Sequence, residues 1–150
     1  MSYFERSDLP YYYTLADNFV IGDQYFQSTF TETNPNRLHL FSGSNGLSVG
    51  HYAVLDNSEP TPGWLWETMG ETLENAGISW KVYQETDNFD DNGFSWFEAY
   101  KKAGPFSPLR RKGQSYVPDI ETAFRQDLAD GTLPQVYNLI LRLCFYYYPL

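Results

Sequence analysis

Helix-forming segments alternate with short apolar segments along most of this chain, which limits the folds it can adopt. Residues 78–83 alternate apolar and polar side chains as a strand does. They directly follow a helical segment that ends at Gly77, a residue suited to a C-terminal cap. Alternation of helices and strands favours an α/β domain with a mainly parallel sheet flanked by helices.

Capping and turn residues give the approximate bounds of these segments. A helix is predicted to begin at residues 7–10, where Ser7 and Asp8 are capping residues and Pro10 suits a first turn. The sequence predicts helices over residues 8–16, 35–41, 68–75, 94–102 and 120–128, and strands over residues 19–21, 78–83 and 133–136.

Composition indicates a folded, acidic domain. The 150 residues suffice for one domain, and 42% hydrophobic with 19% aromatic residues argue against disorder. The formal charge of -9 is spread along the chain, so the basic footprint of a nucleic-acid-binding protein is absent and no nucleic-acid partner is expected. A site for phosphate esters would need local compensation from an arginine, a metal ion or a helix N-terminus.

Two further features narrow the class of protein. Cys144 is the only cysteine, which excludes an intrachain disulfide and a cysteine-rich metal site. The sequence contains no signal-peptide pattern and no apolar run long enough to span a bilayer.

The segment TNPNR, residues 33–37, combines a hydroxyl, a helix start and an arginine. Pro35 can begin a helix, whose N-terminal N–H groups favour a phosphate oxygen, and Arg37 can add a charge-assisted contact. The Thr33 hydroxyl at this place could attack phosphorus, with a metal ion as its natural activator. An ordinary capped turn is the alternative, and the residues by themselves favour it.

Other groups carry weaker signals. A cluster of Asp87, Asp90 and Asp91, with Asn88 and Asn92, could bind a hard cation. It lacks the spacing of a helix–loop–helix calcium site, and a solvated loop is favoured. His39 is expected to be structural, whereas His51 follows a glycine and is expected nearer a cleft.

Several segments resemble, in the same order, those of a phosphoesterase family that contains bacterial phospholipases C, plant non-specific phospholipases C and a group of acid phosphatases. Residues 33–37 resemble the family's T-x-P-N-R motif, and residues 8–17, DLPYYYTLAD, resemble its D-L-P-x-x-Y-x-L-A-D segment. Residues 56–57, 77–84, 87–92 and 131–136 continue the series. The resemblance therefore covers residues 1–136.

This resemblance implies a partial alkaline-phosphatase-like α/β fold with its outer segments missing. It implies that Thr33 is the nucleophile and that a phosphothreonine intermediate forms. Asn36 and Arg37 also match the motif, and the resemblance assigns them to substrate binding, by holding the turn and the surroundings of the phosphate. The implied substrate is a phospholipid or a small phosphate ester, and a phospholipid implies transient contact with a membrane surface.

Departures from the family pattern predict an internal fragment. The chain lacks the family's upstream E-N-R-S-F-D-H-like segment and its downstream D-E-x-x-G-x-x-D-H segment. At Phe26, many bacterial members have a histidine, whereas the plant branch also tends to have phenylalanine. We expect residues 1–136 to be part of a catalytic domain and residues 137–150 to be a non-native tail. A divalent metal ion of unspecified identity is expected only in the complete enzyme, and the fragment is expected to be inactive by itself.

Three functions stay open at this point. The leading one is a phospholipase C that releases diacylglycerol and a phosphorylated head group. The alternatives are an acid phosphatase, which acts on phosphomonoesters, and a catalytically inactive truncated product. Exported family members make an extracellular location the expectation for the parent protein, and the sequence indicates no oligomeric state.

Overall fold

The computed structural model describes residues 3–85 and 91–140. Within these ranges the helices are α1 (Pro10–Asn18), α2 (Thr33–Ser42), α3 (Met69–Asn75), α4 (Glu98–Lys101), α5 (Pro108–Gly113) and α6 (Ile120–Ala129). The strands are β1 (Trp80–Gln84) and β2 (Val136–Ile140), and short 3₁₀ helices cover Leu47–Val49 and Gly93–Trp96.

The two strands form a parallel sheet, in register from Trp80 beside Val136 to Gln84 beside Ile140. Parallel neighbours require a crossover connection, and α4, α5 and α6 all lie in the connection between β1 and β2. Helices α3, α5 and α6 contact β1. The prediction of an α/β fold with a parallel sheet flanked by helices is therefore confirmed.

Aromatic side chains build much of the core between these elements. The rings of Phe94 and Tyr100 are stacked with centroids 4.8 Å apart, and the Trp80 ring meets Phe94 at 5.6 Å. Such contacts add to the stabilisation from buried apolar area. The buried residues of this cluster are Leu38, Phe41, Val54, Trp66, Leu73, Trp80, Val82, Phe94, Trp96, Phe97, Tyr100 and Ile140.

Helix α3 shows how the sequence sets an element's ends. Thr68 caps the N-terminus by accepting from the Glu71 N–H, and the Glu71 carboxylate accepts from the Thr68 N–H at 2.9 Å, which completes a capping box. After the helix, Gly77 adopts φ 67°, a left-handed conformation that favours glycine. The helix predicted over residues 68–75 is confirmed.

Most of the other predicted elements are also present. Helices α1, α2 and α6 lie over the predicted segments, and β1 lies within two residues of the predicted strand 78–83. The predicted helix 94–102 is instead two short helices, because Phe97 between them is extended with ψ 140°. That conformation lets the residues beside Phe97 bond to Trp64, whose N–H donates to the Trp96 carbonyl at 2.9 Å.

Two predicted strands differ from the structure. The strand predicted over residues 19–21 is wrong: Phe19, Val20 and Ile21 are exposed and pair with no described strand. The strand predicted over residues 133–136 lies over Val136–Ile140, and so crosses the predicted boundary between the domain and its tail at residue 136. Residues 141–150, including Cys144, lie outside the described residues.

The segment before α2 differs in character from the rest of the described chain. Helix α1 buries none of its residues, and large apolar side chains up to Phe30 face solvent. Arg6, which precedes α1, forms an ion pair of 2.5 Å with Asp17 of that helix. The pair lies on the surface, where such pairs contribute little stability. No helix in the described ranges combines the length and apolar character needed to cross a membrane.

Replacing Gly70 by alanine is expected to destabilise the fold by about 1–3 kcal/mol, because the new methyl group would collide with the buried Tyr100 hydroxyl and lie 3.0 Å from Trp80. The Tyr100 ring cannot move aside freely, since it is fully buried. Gly104→Ala is the matched control, because its methyl group would meet nothing within 4 Å. Urea unfolding measures both variants, and equal stabilities would contradict this packing.

Asp127 on α6 is expected to stabilise the protein only above acid pH. It accepts from the Lys81 ammonium at 2.6 Å and from the Tyr83 hydroxyl at 2.5 Å, which hold its pKa below the ordinary 3.8. A lowered folded-state pKa gives stability that is present above 3.8 and lost as the pH falls further. The stability difference between wild type and Asp127→Asn should shrink in urea unfolding below that pH. A difference that stays constant down to about pH 2 would contradict the role of this carboxylate.

Candidate functional site

Thr33 is the first residue of α2, and its side chain is exposed. One face of the same helix is buried through Pro35, Leu38 and Phe41. Among the described residues, no hydrogen bond is made by the Thr33 hydroxyl, so its oxygen is accessible to a ligand. A rigidly packed helix therefore presents a free hydroxyl at its N-terminal end.

A groove of about 680 Å³ lies over this end of α2. It brings together Thr33, Asn36 and Arg37, the three site residues predicted from the sequence. His39 also lines the groove, whereas His51 packs against the Trp66 ring at 5.4 Å. The remaining lining residues are Tyr25, Phe26, Gln27, Ser28, Thr31, Glu32 and Leu40.

The N-terminal turn of α2 offers fewer free N–H groups than a helix start ordinarily does. Pro35 has no N–H, and the Asn34 N–H donates to the Asn57 side-chain oxygen at 2.8 Å. Of the first three helical residues, only Thr33 keeps an N–H with no hydrogen bond in the described structure. The helix N-terminus can therefore give a phosphate oxygen one N–H, from the same residue that carries the hydroxyl.

Asn36 binds the chain that leads into the helix. Its side-chain nitrogen donates to the Thr29 carbonyl at 3.1 Å, to the Thr31 hydroxyl at 3.3 Å and to the Glu32 carbonyl at 3.0 Å. Its side-chain oxygen accepts from the Thr29 N–H at 3.1 Å. Both ends of the amide are thus occupied within the turn, which agrees with a role in holding it.

Arg37 is directed towards a different segment. One of its nitrogens donates to the Asp91 carbonyl at 2.7 Å, and the other pairs with the Asp91 carboxylate at 2.8 Å. The Arg37 side chain is about one-third exposed, at 34%, and it lines the groove. Asp91 partly compensates the Arg37 charge, and the same contacts connect α2 to the chain at residue 91.

The predicted acidic cluster falls largely outside the described residues, which exclude Asp87, Asn88 and Asp90. Of its described members, Asp91 pairs with Arg37, and Asn92 is buried. The Asn92 side chain donates to the Gly113 carbonyl at 2.6 Å and accepts from the Phe94 N–H at 3.2 Å. Asn92 is therefore a structural amide.

The residues around Thr33 do not fit a metal ion by themselves. Within residues 3–85 and 91–140, no group of three histidine, cysteine, aspartate or glutamate side chains is placed to hold one. Glu32 is the acidic residue that lines the groove, and its carboxylate accepts from the Asn57 N–H at 2.8 Å. A metal ion near Thr33 would need ligands from outside these ranges.

Sequence reasoning did not single out Asn57 and Glu32 as parts of the site. Glu32 directly precedes Thr33, and its carboxylate accepts from the N–H of Asn57, which lies 25 positions later in the sequence. The available signal was that residues 56–57 belong to the series of family-like segments. Their contact with the TNPNR turn is tertiary, so spacing alone does not reveal it.

Comparison with known proteins supports the resemblance. The model of the Phosphoesterase family matches residues 1–145. The chain is 38% identical to a non-hemolytic phospholipase C of Burkholderia pseudomallei, covering 91% of this chain and 23% of that protein. It is 31% identical to a hemolytic phospholipase C of Pseudomonas aeruginosa over 99% of this chain and 24% of that one. It is 36% identical to phospholipase C B of Mycobacterium tuberculosis, over 91% and 27%. The chain spans about a quarter of the length of these relatives.

Changing Asn36 to aspartate should destabilise the protein by about 1–3 kcal/mol. The substitution keeps the shape of the side chain but turns a donor to three oxygens into a negatively charged acceptor. Thr33→Ala, in the same turn, removes an exposed group without hydrogen bonds and should stay within about 0.5 kcal/mol of wild type. Thermal and urea unfolding compare the two. Equal losses, or none for Asn36→Asp, would contradict the role of Asn36.

Proposed function

Because the chain belongs to the phosphoesterase family, we propose that it forms part of a hydrolase of phosphate esters whose nucleophile is Thr33. The observation that carries this proposal is the exposed Thr33 at the N-terminus of α2, which lines the groove and whose hydroxyl makes no hydrogen bond among the described residues. An N–H of the same residue can contact a phosphate oxygen while the hydroxyl attacks phosphorus.

The proposed substrate is a phospholipid, cleaved to diacylglycerol and a phosphorylated head group. Support comes from the relatives, which are named phospholipases C and match over nine-tenths or more of this chain. Transient contact with a membrane surface follows from that substrate. The groove, at about 680 Å³, is large enough for a phosphorylated head group and is bordered by the aromatic rings of Tyr25 and Phe26.

The proposed reaction takes place in two steps. In the first, the Thr33 oxygen bonds to phosphorus, the bond from phosphorus to the glycerol oxygen breaks, and diacylglycerol leaves with a proton. In the second, water attacks phosphorus, the bond to the Thr33 oxygen breaks, and the hydroxyl is restored. The sum is hydrolysis of one phosphodiester bond by one water molecule.

Asn36 and Arg37 have supporting parts in this proposal. Asn36 fixes residues 29–32, so that the chain enters the helix at one angle. Arg37 supplies positive charge to a groove that also contains the Glu32 carboxylate. Since Asp91 offsets part of that charge, a bound phosphate would need further compensation. A divalent metal ion held by residues outside the described ranges is proposed for that role in the complete enzyme.

Changing Thr33 to alanine in the complete protein should lower turnover of phosphatidylcholine by at least about a thousandfold, since the attacking oxygen is removed. Thr33→Ser keeps a hydroxyl and should retain measurable turnover. Thr29→Ala is a matched control, because Thr29 contacts Asn36 through its backbone, which the substitution leaves in place.

The measurement is release of the phosphorylated head group, with p-nitrophenyl phosphate as a parallel substrate. Turnover by Thr33→Ala near the wild-type rate would overturn the assignment of the nucleophile. Cleavage of the monoester alone would favour an acid phosphatase over a phospholipase C. Turnover of neither substrate by the complete wild-type protein would contradict the hydrolase assignment.

A further inference from the structure

Asn57 holds the chain on both sides of Thr33. The Asn34 N–H donates to the Asn57 side-chain oxygen at 2.8 Å, and the Asn57 N–H donates to the Glu32 carboxylate at 2.8 Å. A weaker contact of 3.4 Å joins the Asn34 side-chain nitrogen to the Asn57 carbonyl. The residues immediately before and after Thr33 are thus bonded to one residue of a distant loop.

These bonds replace the usual local cap of a helix. A residue at the N-cap position ordinarily accepts an N–H of the first turn with its own side chain. Glu32 is the N-cap residue of α2, but its side chain makes no such bond. Asn57 accepts the Asn34 N–H instead, and the Glu32 carboxylate binds the Asn57 backbone in return. The cap of α2 is therefore made between two segments that are far apart in the sequence.

The loop around Asn57 has a local turn and an ion pair to α4. The Asp56 carboxylate accepts from both the N–H and the hydroxyl of Ser58, and these bonds hold its pKa below the ordinary 3.8. Further along, Glu59 pairs with Lys101 of α4 at 3.9 Å. Asn57 therefore lies in a turn that Asp56 and Ser58 close locally and that an ion pair connects to α4.

The chemistry of the Asn57 side chain suits an anion site. The neutral amide oxygen of Asn57 accepts the Asn34 N–H and adds no negative charge beside an incoming phosphate. An aspartate at this position would accept the same N–H but would add a negative charge. The Asn57 N–H also binds the Glu32 carboxylate, which offsets part of the one acidic charge that lines the groove within the described residues. Asn57 therefore affects both the geometry and the charge next to Thr33.

We propose that Asn57 is a positioning residue for Thr33: its side-chain oxygen fixes the first turn of α2 so that the hydroxyl meets phosphorus at the reactive angle. This inference rests on the proposed function. A displacement of about 1 Å at a reacting group can cost about a hundredfold in rate. The Asn57 contacts are exposed, so a smaller loss is expected here.

The test compares two substitutions in the complete protein. Asn57→Ala removes the acceptor of the Asn34 N–H and should lower kcat for phosphatidylcholine about tenfold or more, with KM changed by less than about threefold. Asn57→Asp keeps the acceptor but adds charge. Its kcat should stay within about threefold of wild type. Its KM for phosphatidylcholine should rise, because the new carboxylate repels the substrate phosphate, and should recover as added salt screens that repulsion. A merely structural loss would not separate kcat from KM in this way.

Asn18→Ala is the matched control, because it removes a side-chain hydrogen bond of the same length, 2.8 Å, from α1. It should leave kcat and KM unchanged. If Asn57→Ala keeps the wild-type kcat, or if Asn57→Asp loses as much kcat as Asn57→Ala, the positioning role is wrong.

Thr33→Ala, assayed beside these variants, separates this failure from that of the proposed function. If Thr33→Ala abolishes turnover and Asn57→Ala does not lower kcat, only the positioning role is wrong. If Thr33→Ala keeps wild-type turnover, the proposed nucleophile is wrong and the role of Asn57 is wrong with it.

Discussion

The edge-on contact between Phe41 and Phe94 connects the helix that carries Thr33 to the core. Their ring centroids are 4.8 Å apart at an interplanar angle of 74°. Position 93 must be glycine for this contact, because an added methyl group would collide with the Phe41 ring. With Leu38 also fully buried, one face of α2 is fixed, and the Thr33 end of the helix cannot rotate independently.

A continuous set of contacts leads from the sheet to this helix. The buried Asn92 side chain donates to the Gln84 side chain at the end of β1 and to the Gly113 carbonyl of α5. Asn92 also caps the 3₁₀ helix that carries Phe94. The sheet thereby positions Phe94, Phe94 positions Phe41, and α2 carries Thr33. Hydrogen bonds within the protein occupy the polar side-chain groups of Asn36, Arg37 and Asn57. The Thr33 hydroxyl makes no such bond among the described residues and is available to a ligand.

Local signals predicted those elements whose ends are set by neighbouring residues. The capping box of Thr68 with Glu71 and the left-handed Gly77 define α3, and Asp119 caps α6 by accepting from the Thr122 N–H. The apolar residues 19–21 predict a strand, but they are exposed and pair with no described strand. Apolar composition does not indicate whether a sheet edge is available to a segment. Phe97 became extended through its contact with Trp64, which lies 33 positions earlier, and local propensity cannot anticipate that.

The site shows the same division between local and tertiary information. The TNPNR segment predicted the helix start and the grouping of Thr33, Asn36 and Arg37, because all three lie within about one turn of α2. The sequence did not reveal that Asn57 caps this helix or that Arg37 is directed to Asp91. Both depend on partners 23 and 54 residues away, which meet only when the core has formed.

The proposed reaction requires Thr33 to bond covalently to phosphorus. The most direct measurement is peptide mapping by mass spectrometry of the complete protein, quenched in acid during turnover of phosphatidylcholine. We expect a phosphoryl-containing adduct on Thr33 that is present during turnover and lost when the substrate is exhausted. An adduct on another residue, or product formation with Thr33 unmodified at every time point, would contradict it.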